Sequence, residues 1–316
     1  MYSFTLPTLS IYLPFEKLGF KVQFRSIMSY PVGKLIPIGG AEDKGTQPDP
    51  GEMQRGNLNF FALGTLRKIV EQVGSTDVHI EVITTASAIP DEVAQNYIDA
   101  FRKIGCENIG HLRIRNRDDV QRPEYIERVR KCDAVMFSGG NQMRLTSTFG
   151  GTELLDVLLQ RYQHEHFVIA GTSAGAMAMS NTMIYEGNPA NAHIKGQVKI
   201  TTGLAFIKDV IIDSHFDKRG RFMRLAQAVA TNPQAIGIGL GEDTGVIISK
   251  GLELEAIGSG AVTIVDGRNI RHNNIADIED GSPMSVEGLI VHILERGNRF
   301  HLLTKKFESA NVNVVE

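Results

Sequence analysis

Cysteine is nearly absent from this 316-residue chain. There are two, Cys106 and Cys132, with no CxxC or metal-type spacing. Two cysteines make no disulfide framework, so a reduced, cytoplasmic setting is the default expectation. Long apolar runs are missing too. None reaches the roughly 18 residues that suggest a membrane span. A strong net charge is also missing. The formal value is -3 at pH 7, so no global field recruits nucleic acid or an anionic membrane surface. Glycine-rich nucleotide signatures are incomplete. Ile38-Gly39-Gly40 has no third glycine at the dinucleotide spacing, and no GK[ST] occurs. His164-Glu165-His166 is not HExxH, and no metal ligand set is expected.

What is present is ordinary for a globular protein: 42% hydrophobic and 22% charged residues, in a length that buries a sizeable core. The first thirty residues stand apart. They are apolar and aromatic but interrupted by Pro7, Pro14, Glu16 and Lys17, with no basic start and no A-x-A site. Residues 1–30 therefore read as an extension, with Met28 as a candidate natural start. Residues 31–316 read as one domain, since no linker, repeat or low-complexity stretch divides them.

Strand and helix patterns alternate through the first 180 residues. Residues 34–38, 78–84, 112–114, 133–137 and 167–170 read as strands. Residues 56–73, 91–103, 152–164 and a helix opened by Pro123 lie between them. This alternation predicts an α/β fold with a mainly parallel central sheet covered on both faces. Beyond residue 236 the texture changes. Residues 246–249, 253–257, 261–266 and 269–271 read as short strands, expected as antiparallel additions at a sheet edge.

One turn carries chemistry. Gly171-Thr172-Ser173-Ala174-Gly175 follows a buried strand and opens a helix of small residues. G-x-S-x-G in that context holds a serine in a strained turn with its hydroxyl exposed above the sheet. The N–H of Ala174 then lies where an oxyanion needs a donor. A second glycine turn, Ser138-Gly139-Gly140-Asn141-Gln142, also ends a strand and offers the other donor. A serine needs a base. Of nine histidines, His215 follows the strand-like run 210–213, and active sites of open parallel sheets lie at strand carboxyl ends. The base needs an orienting carboxylate. Glu242 and Asp243, in the turn after 235–240, both qualify on sequence grounds.

Together the segments IPIGGAEDK (36–44), SGGNQ (138–142), GTSAGA (171–176), DSHFDKRGRFMRL (213–225) and GIGLGEDTG (237–245), in that order, resemble the cyanophycinase family of serine peptidases, related to dipeptidase E. The later GRNI and GLIVHIL match as well, so the resemblance spans residues 33 to 304. It implies a flavodoxin-like αβα sandwich and a homodimer. It implies a triad of Ser173, His215 and Glu242, with Gly140 and Ala174 as oxyanion donors, and it needs no cofactor and no metal. Gln142, Arg221 and Arg224 match substrate-contacting positions, and Asp213, Asp243 and Thr244 in the same motifs join the substrate-binding candidates. Read as a helix starting near Arg219, Arg221 and Arg224 share one face and suit a carboxylate. The alternative for them is pairing with nearby carboxylates such as Asp213 and Asp217.

The implied substrate is cyanophycin, a poly-aspartate backbone bearing arginine on its side chains, or another aspartyl peptide. Two positions depart from the family pattern: Ser214 and Lys218 stand where glutamine is frequent. They lie beside the histidine and bear on the choice of substrate. The competing readings are a dipeptidase E-like hydrolase of small aspartyl peptides and a binding protein on the same fold without chemistry.

Overall fold

The computed structural model describes residues 30–45, 59–74 and 77–310. The extension expected over residues 1–30 thus lies outside the described residues except for Tyr30.

In chain order the strands are β1 (Lys34–Ile38), β2 (Ile80–Ile83), β3 (Ile109–Leu112), β4 (Ala134–Phe137), β5 (Val168–Thr172), β6 (Thr182–Glu186), β7 (Lys199–Thr202), β8 (Val210–Asp213) and β9 (Ile236–Leu240). They continue as β10 (Thr244–Ser249), β11 (Glu253–Gly258), β12 (Val262–Asp266), β13 (His272–Asn273), β14 (Val286–Glu287), β15 (Ile290–Leu294), β16 (Arg299–His301) and β17 (Lys306–Glu308). The helices are α1 (Phe60–Leu63), α2 (Thr65–Val73), α3 (Pro90–Lys103), α4 (Pro123–Lys131), α5 (Gln142–Phe149), α6 (Glu153–His164), α7 (Ala174–Met177) and α8 (Phe222–Thr231).

The main sheet has nine strands in the order β17-β16-β11-β10-β1-β5-β4-β2-β3. The five from β1 to β3 in that order run parallel, and β10, β11, β16 and β17 extend it antiparallel. Alternation along the strands separates two cores, because successive side chains leave opposite faces of a sheet. Ile36, Ile38, Ala134, Met136, Val168 and Ala170 point into a core with Leu66, Ile69, Tyr97 and Phe101 of α2 and α3. Leu35, Val135, Phe137 and Ile169 point the other way, toward Ile126, Val129, Leu145, Leu154 and Leu158 of α4, α5 and α6. The result is the expected αβα sandwich.

The caps explain the helix ends. Pro90 and Pro123 open α3 and α4, where a missing N–H costs nothing. Asp91 and Glu92 sit in the first turn of α3 and Arg102 and Lys103 in its last, complementing the helix dipole. Thr152 caps α6 by accepting from the Leu155 N–H.

Several expectations shift. The helix read over 56–73 is broken at Gly64, whose extended backbone (φ -60°, ψ 149°) separates α1 from α2; residues 56–58 fall outside the described residues. The strand read at 112–114 lies at Ile109–Leu112. Gly110 and His111 hide its pattern. A side chain at Gly110 would collide with Glu81 Oε2 at 2.2 Å. Helix α5 was not expected, although Asn141 caps it by accepting from Met143 N–H. Residues 269–271 form no strand, and β13 follows them.

The larger correction concerns β8, β9 and β12. They do not extend the main sheet but build a second one, in the order β15-β12-β9-β8, with β8 and β9 parallel and the others antiparallel. Helix α8 packs on this sheet, and α7 touches β1, β5 and β8, so the nucleophile turn sits where the two sheets meet.

Candidate active site

Ser173 lies between β5 and α7 with φ 50° and ψ -108°. That is a region L-residues avoid, and strain of this kind persists only where the surroundings over-determine it. Gly175 shows one of those constraints, since a Cβ there would lie 2.6 Å from Phe137 O. The serine hydroxyl is thereby held 3.2 Å from His215 Nε2. Glu242 Oε1 lies 2.8 Å from the other ring nitrogen, Nδ1. Lys218 Nζ lies 3.5 Å from the second Glu242 oxygen. Gly40 leaves room for the imidazole: a Cβ at this glycine (φ 108°) would lie 2.4 Å from His215 Cε1.

The three side chains come from two sheets. Ser173 ends β5 of the main sheet, whereas His215 and Glu242 follow β8 and β9 of the second. His215 and Asp243 also take positive φ, 46° and 47°. Burial pushes the His215 imidazole below the ordinary histidine value, with the Glu242 hydrogen bond and charge pulling it part of the way back. Burial pushes the Glu242 carboxyl up, but His215 and Lys218 outweigh it and leave it below the usual glutamate value.

Asp243, the other candidate for orienting the base, faces elsewhere. It is 3% exposed, accepts from Asp43 N–H at 3.0 Å and bonds Ser259 Oγ at 2.8 Å. Burial pushes its carboxyl above the usual aspartate value, and those two hydrogen bonds offset part of the rise. Thr244 is fully buried, donating to Glu242 O and accepting from Gly260 N–H. Asp213 is fully buried as well. These three were expected to meet substrate; instead their polar atoms are committed to holding the loops that carry Glu242 and His215.

The arginines also differ from expectation. Helix α8 begins at Phe222, so Arg221 is its cap and only Arg224 lies within it. Arg224 is 5% exposed and grips Asp213 with two parallel hydrogen bonds, Nε to Oδ2 at 2.6 Å and Nη2 to Oδ1 at 2.5 Å. It is spent on the protein, which corrects its reading as a free substrate ligand. Arg221 donates from Nη1 to Ser214 O at 2.6 Å and to Asp213 Oδ1 at 3.2 Å, while its Nε has no hydrogen-bond acceptor among the described residues. Burial lowers the Arg221 guanidinium to about 10. Ser214 is buried, with its hydroxyl 3.2 Å from Met177 Sδ. Gln142, at the first position of α5, donates to Ile184 O and Tyr185 O of β6, tying the β6–β7 hairpin to the turn that bears Gly140. Ala174 opens α7, where first-turn N–H groups have no helical acceptor.

A serine, an imidazole and a carboxylate in hydrogen-bonded series are equipped for acyl transfer. Comparison with known proteins agrees: the model of peptidase family S51 matches residues 62–257.

The chain belongs to peptidase family S51.

Its relatives include a cyanophycinase of Trichormus variabilis, 34% identical over 85% of each chain. A cyanophycinase of Synechococcus elongatus is 33% identical over 87% of this chain and 81% of its own. A third, from Geminocystis herdmanii, is 32% identical over 87% and 96%. This is accordingly a cyanophycinase-like serine peptidase. Among solved structures, a peptidase from an acI-B1 Actinobacterium aligns with TM-score 0.57 at 20% identity, covering 84% of this chain and 98% of its own, and supports the flavodoxin-like fold. Among the described residues no helix is long and apolar enough to cross a membrane, and no His/Cys/Asp/Glu group could hold a metal. Sequence reasoning assigned no role to Glu42 and Asp43; Glu42 is buried against Thr172 of this S51 site, and Asp43 reaches it through its backbone N–H on Asp243.

Proposed function

We propose that this S51 peptidase hydrolyses aspartyl peptide bonds of cyanophycin and releases β-aspartyl-arginine dipeptides. The observation that carries the proposal is the linear series Ser173 Oγ, His215 Nε2, His215 Nδ1, Glu242 Oε1 at 3.2 and 2.8 Å. With Nδ1–H donating to the Glu242 carboxylate, Nε2 is the free lone pair that takes the serine proton. Oγ attacks the aspartyl carbonyl carbon, and the N–H groups of Gly140 and Ala174 hold the oxyanion. The tetrahedral species collapses as His215 returns the proton to the leaving amine. Water then repeats the sequence on the acyl-enzyme. Arg221 and Gln142 are the proposed substrate contacts that remain. The proposal includes a homodimer, as the family resemblance implies, in the reduced, cytoplasmic setting expected from two unpaired cysteines.

Incubation with purified cyanophycin and with α- and β-aspartyl dipeptides, read by mass spectrometry, tests the substrate. Release of the β-aspartyl-arginine mass supports the proposal. Cleavage of small α-aspartyl peptides alone transfers the function to a dipeptidase E-like activity. No turnover of any of them leaves a binding protein.

The pH profile is a second check. The base form of His215 is required, and its folded value lies below that of an ordinary histidine, near 6.5. Activity is therefore retained to lower pH than for a solvated imidazole and is lost as pH falls through the folded value. The acid limb of kcat/KM, which reports the free enzyme, should lie below about 6.5. Glu242→Gln removes the charge that raises it, so the limb should move further down as kcat falls. An acid limb above 7 contradicts His215 as the base.

A further inference from the structure

A single short segment touches the nucleophile, the base and the residue after Glu242. Ile38 O accepts from Ser173 N–H at 2.8 Å, Gly39 O from His215 N–H at 2.7 Å and Gly40 O from Asp243 N–H at 2.9 Å. Asp43 N–H then donates to Asp243 Oδ1 at 3.0 Å. Between them sits Glu42, 5% exposed, whose side chain turns toward the nucleophile strand. Thr172 Oγ1 donates to Glu42 Oε2 at 2.5 Å, Lys44 Nζ donates to Oε1 at 2.8 Å, and the Tyr97 hydroxyl from α3 also donates to Oε1. Burial pushes the Glu42 carboxyl up, but Lys44 and the hydroxyls of Thr172 and Tyr97 bring it below the ordinary glutamate value. Tyr97 is driven well above its usual value by burial and by the Glu42 charge, and so remains a donor.

No step of the proposed hydrolysis uses Glu42. Burying a carboxylate is costly unless every oxygen is satisfied. Here the satisfying groups include the hydroxyl of Thr172, which immediately precedes Ser173 and its strained backbone. We infer that Glu42 is a positioning residue, whose buried carboxylate fixes Thr172 and with it the angle at which Ser173 Oγ meets His215. The inference rests on the reading of Ser173, His215 and Glu242 as the reacting set. Through the same segment the carboxylate locks the register between the main sheet, which carries the serine, and the second sheet, which carries the base.

The smallest perturbation is made at Thr172. Thr172→Val keeps the shape and removes the hydroxyl, whereas Thr172→Ser keeps the hydroxyl. The readout is the rate at which an alkyl fluorophosphonate labels Ser173, together with kcat and KM on an aspartyl substrate, well below the melting temperature. Misplacement of a reacting group by a fraction of an ångström lowers rates by about 10- to 100-fold. Thr172→Val and Glu42→Gln should each lose that much in labelling rate and kcat, with KM within about twofold, and Thr172→Ser should recover most of it. The double variant should be no slower than the slower single, since the two substitutions share the Thr172–Glu42 contact. Labelling at the parental rate in Thr172→Val, with only the melting temperature lowered, overturns the inference; so do effects that multiply in the double variant. If Glu42→Gln fails to fold, the Thr172 pair decides alone. Ser173→Ala runs alongside: turnover there would remove the underlying reading, whereas a dead Ser173→Ala beside an unaffected Thr172→Val removes only the role of Glu42.

Discussion

Ser173→Ala should lose about 10⁴-fold or more in kcat while keeping its fold and its ability to bind substrate. The expected loss corresponds to about 5.5 kcal/mol of transition-state stabilisation. The stability cost should be far smaller. Among the described residues the hydroxyl makes one hydrogen bond, 3.2 Å to His215 Nε2, so its removal costs about 1 kcal/mol. The strain at Ser173 belongs to the backbone and is the same for alanine, because any Cβ meets it at φ 50°. A melting curve close to that of the parent, together with lost turnover, separates chemistry from folding. Residual hydrolysis, if measurable, should come from the oxyanion donors and from bound water. Near-normal activity would exclude the serine mechanism.

The serine turn was legible because three local signals coincide: a buried strand before Gly171, a serine between two glycines, and a helix of small residues after it. His215 and the Glu242-Asp243 turn were legible because each follows a β-branched or glycine-alternating strand and stands at its carboxyl end; the choice of Glu242 within that turn came from the family resemblance. The partners of those strands were not. Val210–Asp213 and Ile236–Leu240 are buried on both faces, as central parallel strands are, so their pattern cannot distinguish a main sheet from a second one. Only the long-range pairing of β9 with β12 separates the sheets, and pairing between strands is not a local property. Helix α5 was missed because its cap and first residue lie in the SGGNQ segment, where the glycines draw attention to the loop and away from the Asn141 cap. Glu42 and Asp43 were missed for a related reason. Acidic residues after two glycines resemble a solvated turn, and nothing nearby in sequence reveals Tyr97 or Thr172 as partners of Glu42, or Asp243 as the partner of Asp43.

Arg224→Ala should destabilise the protein by about 3–5 kcal/mol and lower kcat/KM equally on an aspartyl substrate and on a neutral activated ester. Asp213 has no exposed surface, and the two-pronged grip of Arg224 provides most of its compensation. What would remain is one Arg221 contact at 3.2 Å and the Ser214 N–H at 2.8 Å. Removing one partner of a buried pair leaves a charge that water does not reach and the remaining protein contacts solvate only in part, which is why the loss exceeds that of a surface ion pair several-fold. The same guanidinium donates to Gly187 O at 3.2 Å, so the segment after β6 loosens with it. Asp213 ends β8 and stands two residues before His215. Any shift that relieves the orphaned carboxylate therefore moves the base relative to Ser173, whatever substrate is bound. That is the physical reason to expect an equal loss on both substrates. Arg224→Lys should recover only part of the stability, because an ammonium cannot reproduce the planar fork. Chemical unfolding measures the first effect and paired kinetics the second. A selective loss on the aspartyl substrate at unchanged stability would return Arg224 to the substrate, and the grip on Asp213 would then have to open when substrate binds.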